Sequence, residues 1–212
     1  MDRAGNLYIA DSNNNRIRKV TPGGTISTIA GNGTPGFGGD NGPAIGAQFN
    51  ALSSVAVDGD DNLYIADTNN NRVRKLTPGG TITTVAGGDI QGFGGDGGPA
   101  TSARTALPQG VVVDRSGNLF IADTQNSRIR KVATDGTIST IAGNGTQGLG
   151  GDGAAATSAE LQRPAGLATD ASGKLYVTDN QNHRIRLVAD GLISLFAGSE
   201  AGFSGDNGPA TS

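Results

Sequence analysis

Short apolar runs alternate with clusters of Gly, Asn, Asp and Pro along the whole chain. In the stretch 54–85, runs of about five residues are separated by residues that favour tight turns. This pattern predicts an antiparallel meander of four short strands, named a to d in chain order. The predicted strands are Ser54–Asp58, Leu63–Asp67, Arg72–Leu76 and Thr81–Val85.

The same pattern recurs four times at a fixed step. The string YIAD or a close variant ends at Asp11, Asp67, Asp123 and Asp179, each 56 residues after the last. Four-stranded units at a period above about 40 residues are typical of β-propellers. We therefore expect an all-β propeller with about four antiparallel blades, the first lacking its inner strand. The predicted blades are 1–30, 52–86, 108–142 and 164–197, and the glycine-rich connections are 31–51, 87–107, 143–163 and 198–212.

Two stretches carry a resemblance to a known family. GNLYIADSNNNRIRKV at 5–20 and AGNGTPGFGGDNGPA at 30–44 resemble the NHL repeat in its long-loop bacterial form. The resemblance covers residues 1–212 as one partial propeller, and it implies a fold that is most often six-bladed. It also implies a bacterial protein outside the cytoplasm. It implies little about function, because NHL-like propellers include protein-binding, RNA-binding and enzymatic members.

Gly31, Gly33 and Gly36 have the GxGxxG spacing of a dinucleotide-binding loop. Such a loop needs a preceding strand and a long helix immediately after it. The residues that follow, FGGDNGP, predict no helix, so we expect no nucleotide cofactor. We interpret the glycines as turn residues in long connections. The apolar residues of the connections are expected to plug each loop onto its blade; they are Phe37, Phe93, Leu149 and Phe203.

Composition narrows the classes of partner. The net charge is −3, and the 16 basic residues are spread along the chain. This argues against a nucleic-acid or membrane partner. The strand-c arginines favour a structural role, in which their stems cover blade edges and their head groups pair with Asp.

The YIAD carboxylates stand at the turn between strands b and c. Asp11 to Asn15 resembles the start of a calcium loop, but Arg16 and Pro22 occupy the positions that need Gly and a bidentate Glu. We expect each Asp instead to close the turn and pair with the first arginine after it. The predicted pairs are Asp11 with Arg16, Asp67 with Arg72, Asp123 with Arg128, and Asp179 with Arg184.

A second set of carboxylates lies in the GGD segments of the connections: Asp40, Asp96, Asp152 and Asp206. We interpret these as possible ligand contacts on a loop face. Weak calcium binding by one Asp and backbone carbonyls per loop is an open alternative, as is an Asp that accepts hydrogen bonds from loop amides. No other cofactor is expected.

Catalysis needs different groups converging on one point, whereas these repeats are nearly identical. His183 is the only histidine, and the inner strands carry carboxylates only at their far ends, at Asp58, Asp114 and Asp170. The chain is therefore predicted to be a non-enzymatic scaffold that binds a protein or glycan through the face of the b–c and d–a loops. The alternative is a fragment of a metal-dependent six-bladed hydrolase or lyase whose catalytic residues lie in further blades.

Four blades with a three-stranded first blade leave sheet edges uncovered. A closed ring would need partner blades, from further sequence or from another copy. We therefore expect a homo-oligomer, with a head-to-tail dimer as one way to close the ring.

Overall fold

Four antiparallel sheets follow one another along the chain, each built from strands that are adjacent in sequence. The computed structural model describes residues 1–199, 201–202, 205 and 207–211. The first sheet contains β1 (Leu7–Asp11), β2 (Arg16–Val20) and β3 (Ile26–Ala30). The second contains β4 (Gly42–Pro43), β5 (Leu52–Val57), β6 (Leu63–Asp67), β7 (Arg72–Leu76) and β8 (Thr81–Gly87).

The third and fourth sheets repeat the meander. The third contains β9 (Gly110–Val113), β10 (Leu119–Asp123), β11 (Arg128–Val132) and β12 (Ile138–Ala142). The fourth contains β13 (Pro164–Thr169), β14 (Leu175–Asp179), β15 (Arg184–Ala189) and β16 (Leu192–Ala197). The prediction of an all-β propeller with about four blades is confirmed. The first blade has only strands b, c and d, as expected, and the described chain forms an open arc of blades.

The hydrophobic core lies between blades, because successive side chains of a strand point to opposite faces of a sheet. In β6, Ile65 packs towards blade 1 and Tyr64 packs towards blade 3. The same alternation in β10 directs Ile121 and Phe120 to the two neighbouring blades. Each blade thus buries both faces of its sheet only when it has a neighbour on each side.

Each glycine-rich connection runs along the outer edge of the blade that follows it. Gly42 and Pro43 pair with β8, and isolated bridges join Pro99 to Thr137 and Ala155 to Leu192. The chain then makes a short 3-10 turn and runs inward to strand a of the same blade. The connections therefore cover the edge strands, which would otherwise expose unpaired backbone groups.

Gly31 shows why the first glycine of the GxGxxG spacing is needed. Its φ is +91°, and a side chain there would overlap the carbonyl oxygen of Asn15. Gly87 and Gly143 have the same conformation, with φ of +82° and +87°, against the carbonyls of the next two b–c turns. The glycine lets the connection leave strand d directly beside the turn, and no helix follows it.

The inner strands approach one another closely around the propeller axis. At Gly110 in β9, an added Cβ would overlap the carbonyl oxygen of Ala165 in β13. Gly88, in contrast, has no heavy atom within 4 Å of an added Cβ and no positive φ.

We predict that Gly110→Ala destabilises the fold by about 1–3 kcal/mol, because the inner strands must move apart to accept the methyl group. Gly88→Ala is the matched control and should change the free energy of unfolding by less than about 0.5 kcal/mol. Urea denaturation of both variants measures the difference. Equal stability of the two variants would show that blades 3 and 4 do not meet at Gly110.

Candidate functional site: the loop face

The b–c turns and the first halves of the connections lie side by side on one face of the propeller, which we call the loop face. The amide of Asn70 in a b–c turn donates to the carbonyl of Gly36 at 2.7 Å. Asn126 and Asn182 make the same bond to Gly92 and Gly148, each at 2.7 Å. These bonds place the two kinds of loop together, as the repeat pattern predicts.

A buried arginine on strand c lies beneath each of these loops. Arg130 in β11 has no exposed surface. Its guanidinium donates to Asp123 of the same blade at 3.2 Å and to Asp96 of the preceding connection at 2.6 Å. It also donates to the carbonyls of Gly94 and Arg104, at 3.2 Å and 3.3 Å. We call this arrangement the arginine clamp, because one side chain fastens both strands of the loop.

The clamp recurs in the blades on either side. Arg74 contacts Asp67 at 3.4 Å and Asp40 at 2.5 Å. In blade 4, Arg186 contacts Asp179 at 3.3 Å and Asp152 at 2.8 Å. In each case the second carboxylate comes from the connection before the blade.

The carboxylates of the connections are thus engaged by the fold. Asp96 accepts a second hydrogen bond at its other oxygen from Thr140, at 2.7 Å, and Asp40 does so from Thr84, at 2.6 Å. Asp206 lies outside the described residues. That these carboxylates also contact a ligand stays a prediction.

The structure corrects the predicted pairing at the b–c turn. Asp67 and Arg72 are opposite one another in the strand register, but the ion pair of Asp67 is with Arg74. The same shift holds for Asp11, Asp123 and Asp179, which pair with Arg18, Arg130 and Arg186. The arginines expected as partners, Arg16, Arg72, Arg128 and Arg184, make other contacts.

The reason is the reach of the arginine side chain. Arginines two residues apart point to the same face of the sheet, and a long side chain reaches its diagonal neighbour as easily as the one opposite. Arg72, nearest the turn, bonds the carbonyl of Asn70 at 3.0 Å and the carboxylate of Asp89 at 2.6 Å. The repeat period shows that both arginines recur but does not distinguish their partners.

Burial sets the ionisation of the inner carboxylate. Removal from water raises the pKa of Asp123, and this outweighs the hydrogen bonds from Asn126, Ala106 and Arg130 that favour the charged form. At Asp96 burial acts in the same direction, but the hydrogen bond from Thr140 and the charge of Arg130 together hold its pKa below the usual value. The loop carboxylate is therefore the more strongly ionised partner of the clamp.

Half-exposed apolar side chains stand above the clamps. Phe37, Phe93 and Leu149 occupy the same position in three successive connections and are 41%, 42% and 46% exposed. The guanidinium of Arg72 lies 3.7 Å from the ring centroid of Phe37, and that of Arg128 lies 3.8 Å from Phe93.

The expectation that these residues plug the loops onto the blades is therefore wrong in its burial. Each phenylalanine rests on arginine with its outer surface open to solvent. Phe203, the fourth residue of this set, lies outside the described residues. We call Phe37, Phe93 and Leu149 the apolar row.

Two other concave regions compete as sites. A cavity of about 370 Å³ on the propeller axis is lined mainly by Val55, Val57, Val111, Val113 and Leu167. The carboxylates at the ends of the inner strands bond their own a–b turns, as Asp58 does to the backbone N–H of Asn62 at 2.9 Å. The axis of the described chain therefore presents apolar walls without an acid or base.

The larger region, about 790 Å³, lies between blades 2 and 3 on the opposite face, and its lining includes Asp58, Tyr64, Lys75 and Asp135. Burial and the nearby Asp58 raise the pKa of Tyr64 to about 12, so its hydroxyl stays protonated. We call this region the turn-face cleft.

No group of three His, Cys, Asp or Glu side chains is placed to hold a metal ion within the described ranges. The arginine beside each loop carboxylate also makes the GGD segments poor cation sites, since it supplies the positive charge already. Calcium binding by these loops stays an untested alternative. No helix in the part of the chain described here is long and apolar enough to cross a bilayer.

Comparison with known proteins gives the family. The family model of the teneurin NHL domain matches residues 1–77 and 88–150, and that of the NHL repeat matches residues 161–186. The chain belongs to the teneurin NHL domain family. The resemblance to NHL repeats is thereby confirmed.

Human teneurin-1 is 32% identical to this NHL chain over 212 residues, which cover 87% of the chain and 7% of the relative. The chain thus spans less than a tenth of the length of the teneurins that it matches. The chloroplastic protein SUPPRESSOR OF QUENCHING 1 of Arabidopsis thaliana is 32% identical over 133 residues, covering 59% of the chain and 12% of that relative. These relatives are animal and plant proteins, so a bacterial origin stays a prediction.

Solved structures share the fold at lower identity. A chain in the nidogen/laminin complex has a TM-score of 0.66 and 19% identity, covering 94% of this NHL chain and 63% of that chain. Virginiamycin B lyase from Staphylococcus aureus has a TM-score of 0.60 and 17% identity, covering 97% and 55%. Because the fold is common to a lyase and to a protein of a binding complex, it does not decide whether this chain is an enzyme.

We predict that Phe93→Ala lowers the free energy of unfolding by about 1 kcal/mol or less, because its ring is half-exposed and contributes mainly a cation–π contact. Phe49→Ala is the matched comparison, since Phe49 is fully buried in the same type of connection. That variant should lose about 3–5 kcal/mol. Chemical denaturation compares them, and a similar large loss in both would mean that Phe93 is a core residue.

Proposed function

We propose that this NHL chain is a non-enzymatic scaffold that binds a protein partner through its loop face. The observation that carries the proposal is the apolar row, Phe37, Phe93 and Leu149, which repeats at one position in three adjacent connections. Aromatic side chains and arginine are enriched where proteins bind one another. Here they occur together, and each ring is already held by a guanidinium.

Pre-organisation supports this assignment. The connections are fixed by the arginine clamps, so the apolar row is presented on an ordered backbone in spite of its glycine content. A partner that buries these side chains therefore pays little to order the loops. The nidogen/laminin complex shows the same fold in a structure of two partner proteins, which favours the proposal over a catalytic role.

The proposal favours a protein over a glycan. Exposed aromatic rings capped by arginine on one side leave a hydrophobic edge flanked by backbone polar groups, which suits side chains of a partner protein. Virginiamycin B lyase has the fold, but the axial cavity here is lined by valines and lacks a described acid or base, so no observation favours the hydrolase or lyase alternative.

The test is to probe arrays of purified proteins and arrays of glycans with the labelled chain, and to measure each hit by calorimetry. We expect protein hits that the triple variant Phe37→Ser, Phe93→Ser, Leu149→Ser binds at least about tenfold more weakly, because it removes the anchors of the interface. The control is Lys75→Ala with Asp135→Ala, which alters the turn-face cleft alone.

Protein hits that bind the triple variant unchanged and the control variant weakly would move the site to the turn face. Glycan hits alone, insensitive to the triple variant, would contradict the proposal. Circular dichroism of every variant verifies that the fold is intact.

A further inference from the structure

Blade 1 exposes a surface that the other blades bury. Leu7, Ile9 and Ile26 are 50%, 43% and 50% exposed. Their repeat equivalents in blade 2, Leu63, Ile65 and Ile82, are 2%, 0% and 0% exposed. The equivalents in blades 3 and 4 are buried as well: Leu119, Ile121, Ile138, Leu175, Val177 and Ile193. The exposed residues of blade 1 therefore form half of a blade–blade junction.

The arginine clamp of blade 1 is also half-complete. Arg18 is the equivalent of Arg74, Arg130 and Arg186, and it contacts Asp11 at 3.6 Å. Its Nε is buried and has no hydrogen-bond partner among the described residues. In the later blades the second carboxylate comes from the preceding connection. Blade 1 therefore has a receptor for an acidic loop of the same type.

The other half of the junction is at blade 4. Phe196 is 46% exposed and packs edge to face on Tyr176, with ring centroids 4.8 Å apart. Ile29 and Tyr8 hold these positions in blade 1, where they pack against the core that blade 2 completes. Blade 4 thus exposes the residues that, at the internal junctions, cover a surface like that of blade 1.

The connection after blade 4 already has the conformation of the internal ones. The N–H of Gly198 donates to the carbonyl of Ala210 at 2.8 Å, as Gly31 does to Ala44 at 2.9 Å. Its acidic residue in the repeat is Asp206, at the position of Asp40, Asp96 and Asp152 in the earlier connections.

We propose that the exposed surface of blade 1, with Arg18 at its centre, is the docking site for blade 4 and the following connection of a second copy of this chain. The two surfaces differ from one another, so the contact is head-to-tail. A second copy offers the same apolar positions and the same acidic loop that complete the three internal junctions. Two such contacts join two chains into a ring.

The test is the mass of the 212-residue chain by light scattering across a concentration series. We expect a species of twice the chain mass of 21.2 kDa. Ile9→Glu on blade 1 and Phe196→Glu on blade 4 should each weaken self-association by at least about tenfold, because each would bury an unpaired carboxylate. Both residues are exposed within one chain, so the fold of the monomer should persist by circular dichroism. Ile90→Glu, on an exposed isoleucine of a connection, is the control and should associate as the parent chain does.

Mixing the two variants distinguishes a head-to-tail contact from other dimers. The mixture retains one junction of unaltered surfaces, so a complex of one copy of each should form where neither variant associates alone. A monomeric parent chain at all concentrations would overturn the proposal. So would association that survives both substitutions, or that is not restored by mixing.

Discussion

An arginine without contact to water holds each connection against the blade that follows it. Arg74, Arg130 and Arg186 each lie between a carboxylate of their own blade and one from the preceding loop. Taking a guanidinium out of water is costly unless it is fully paired, so the loop must return to the same place in every repeat. A connection rich in glycine, which would otherwise be mobile, is in this way converted into an ordered surface. The covered sheet edge, the buried junction alanines and the exposed apolar row all follow from that placement.

The repeat pattern is sufficient to predict the blades, because strands, turns and period are local properties of the sequence. It also predicts that the b–c turns and the connections share a face. It does not predict which of two arginines is the ion-pair partner of Asp67, since Arg72 and Arg74 lie on the same side of β7 and recur together. That choice depends on the loop of the preceding blade, which reaches Arg74 across 34 residues of sequence from Asp40.

The burial of Phe37 and Phe93 was beyond the sequence for a related reason. An aromatic residue in a glycine-rich loop is usually an anchor to the core, and here the core side is occupied by Phe49 in one connection and by Thr105 in the next. The rings are left on the guanidinium groups of strand c, facing outward. The same interaction that orders the loop thus produces the candidate binding surface, and its half-completed copy at Arg18 marks the surface where another blade fits.

The most direct measurement is a double-mutant cycle between Asp96 and Arg130, using Asp96→Ala, Arg130→Met and the double variant in urea denaturation. If the clamp fastens the connection to blade 3, the two substitutions are coupled by about 1–3 kcal/mol. The control cycle uses Arg3 and Asp60, an exposed ion pair at 3.5 Å that also joins two blades, and its coupling should be indistinguishable from zero. Additive losses at Asp96 and Arg130 would contradict the account, because the loop would then be held by something other than the buried arginine.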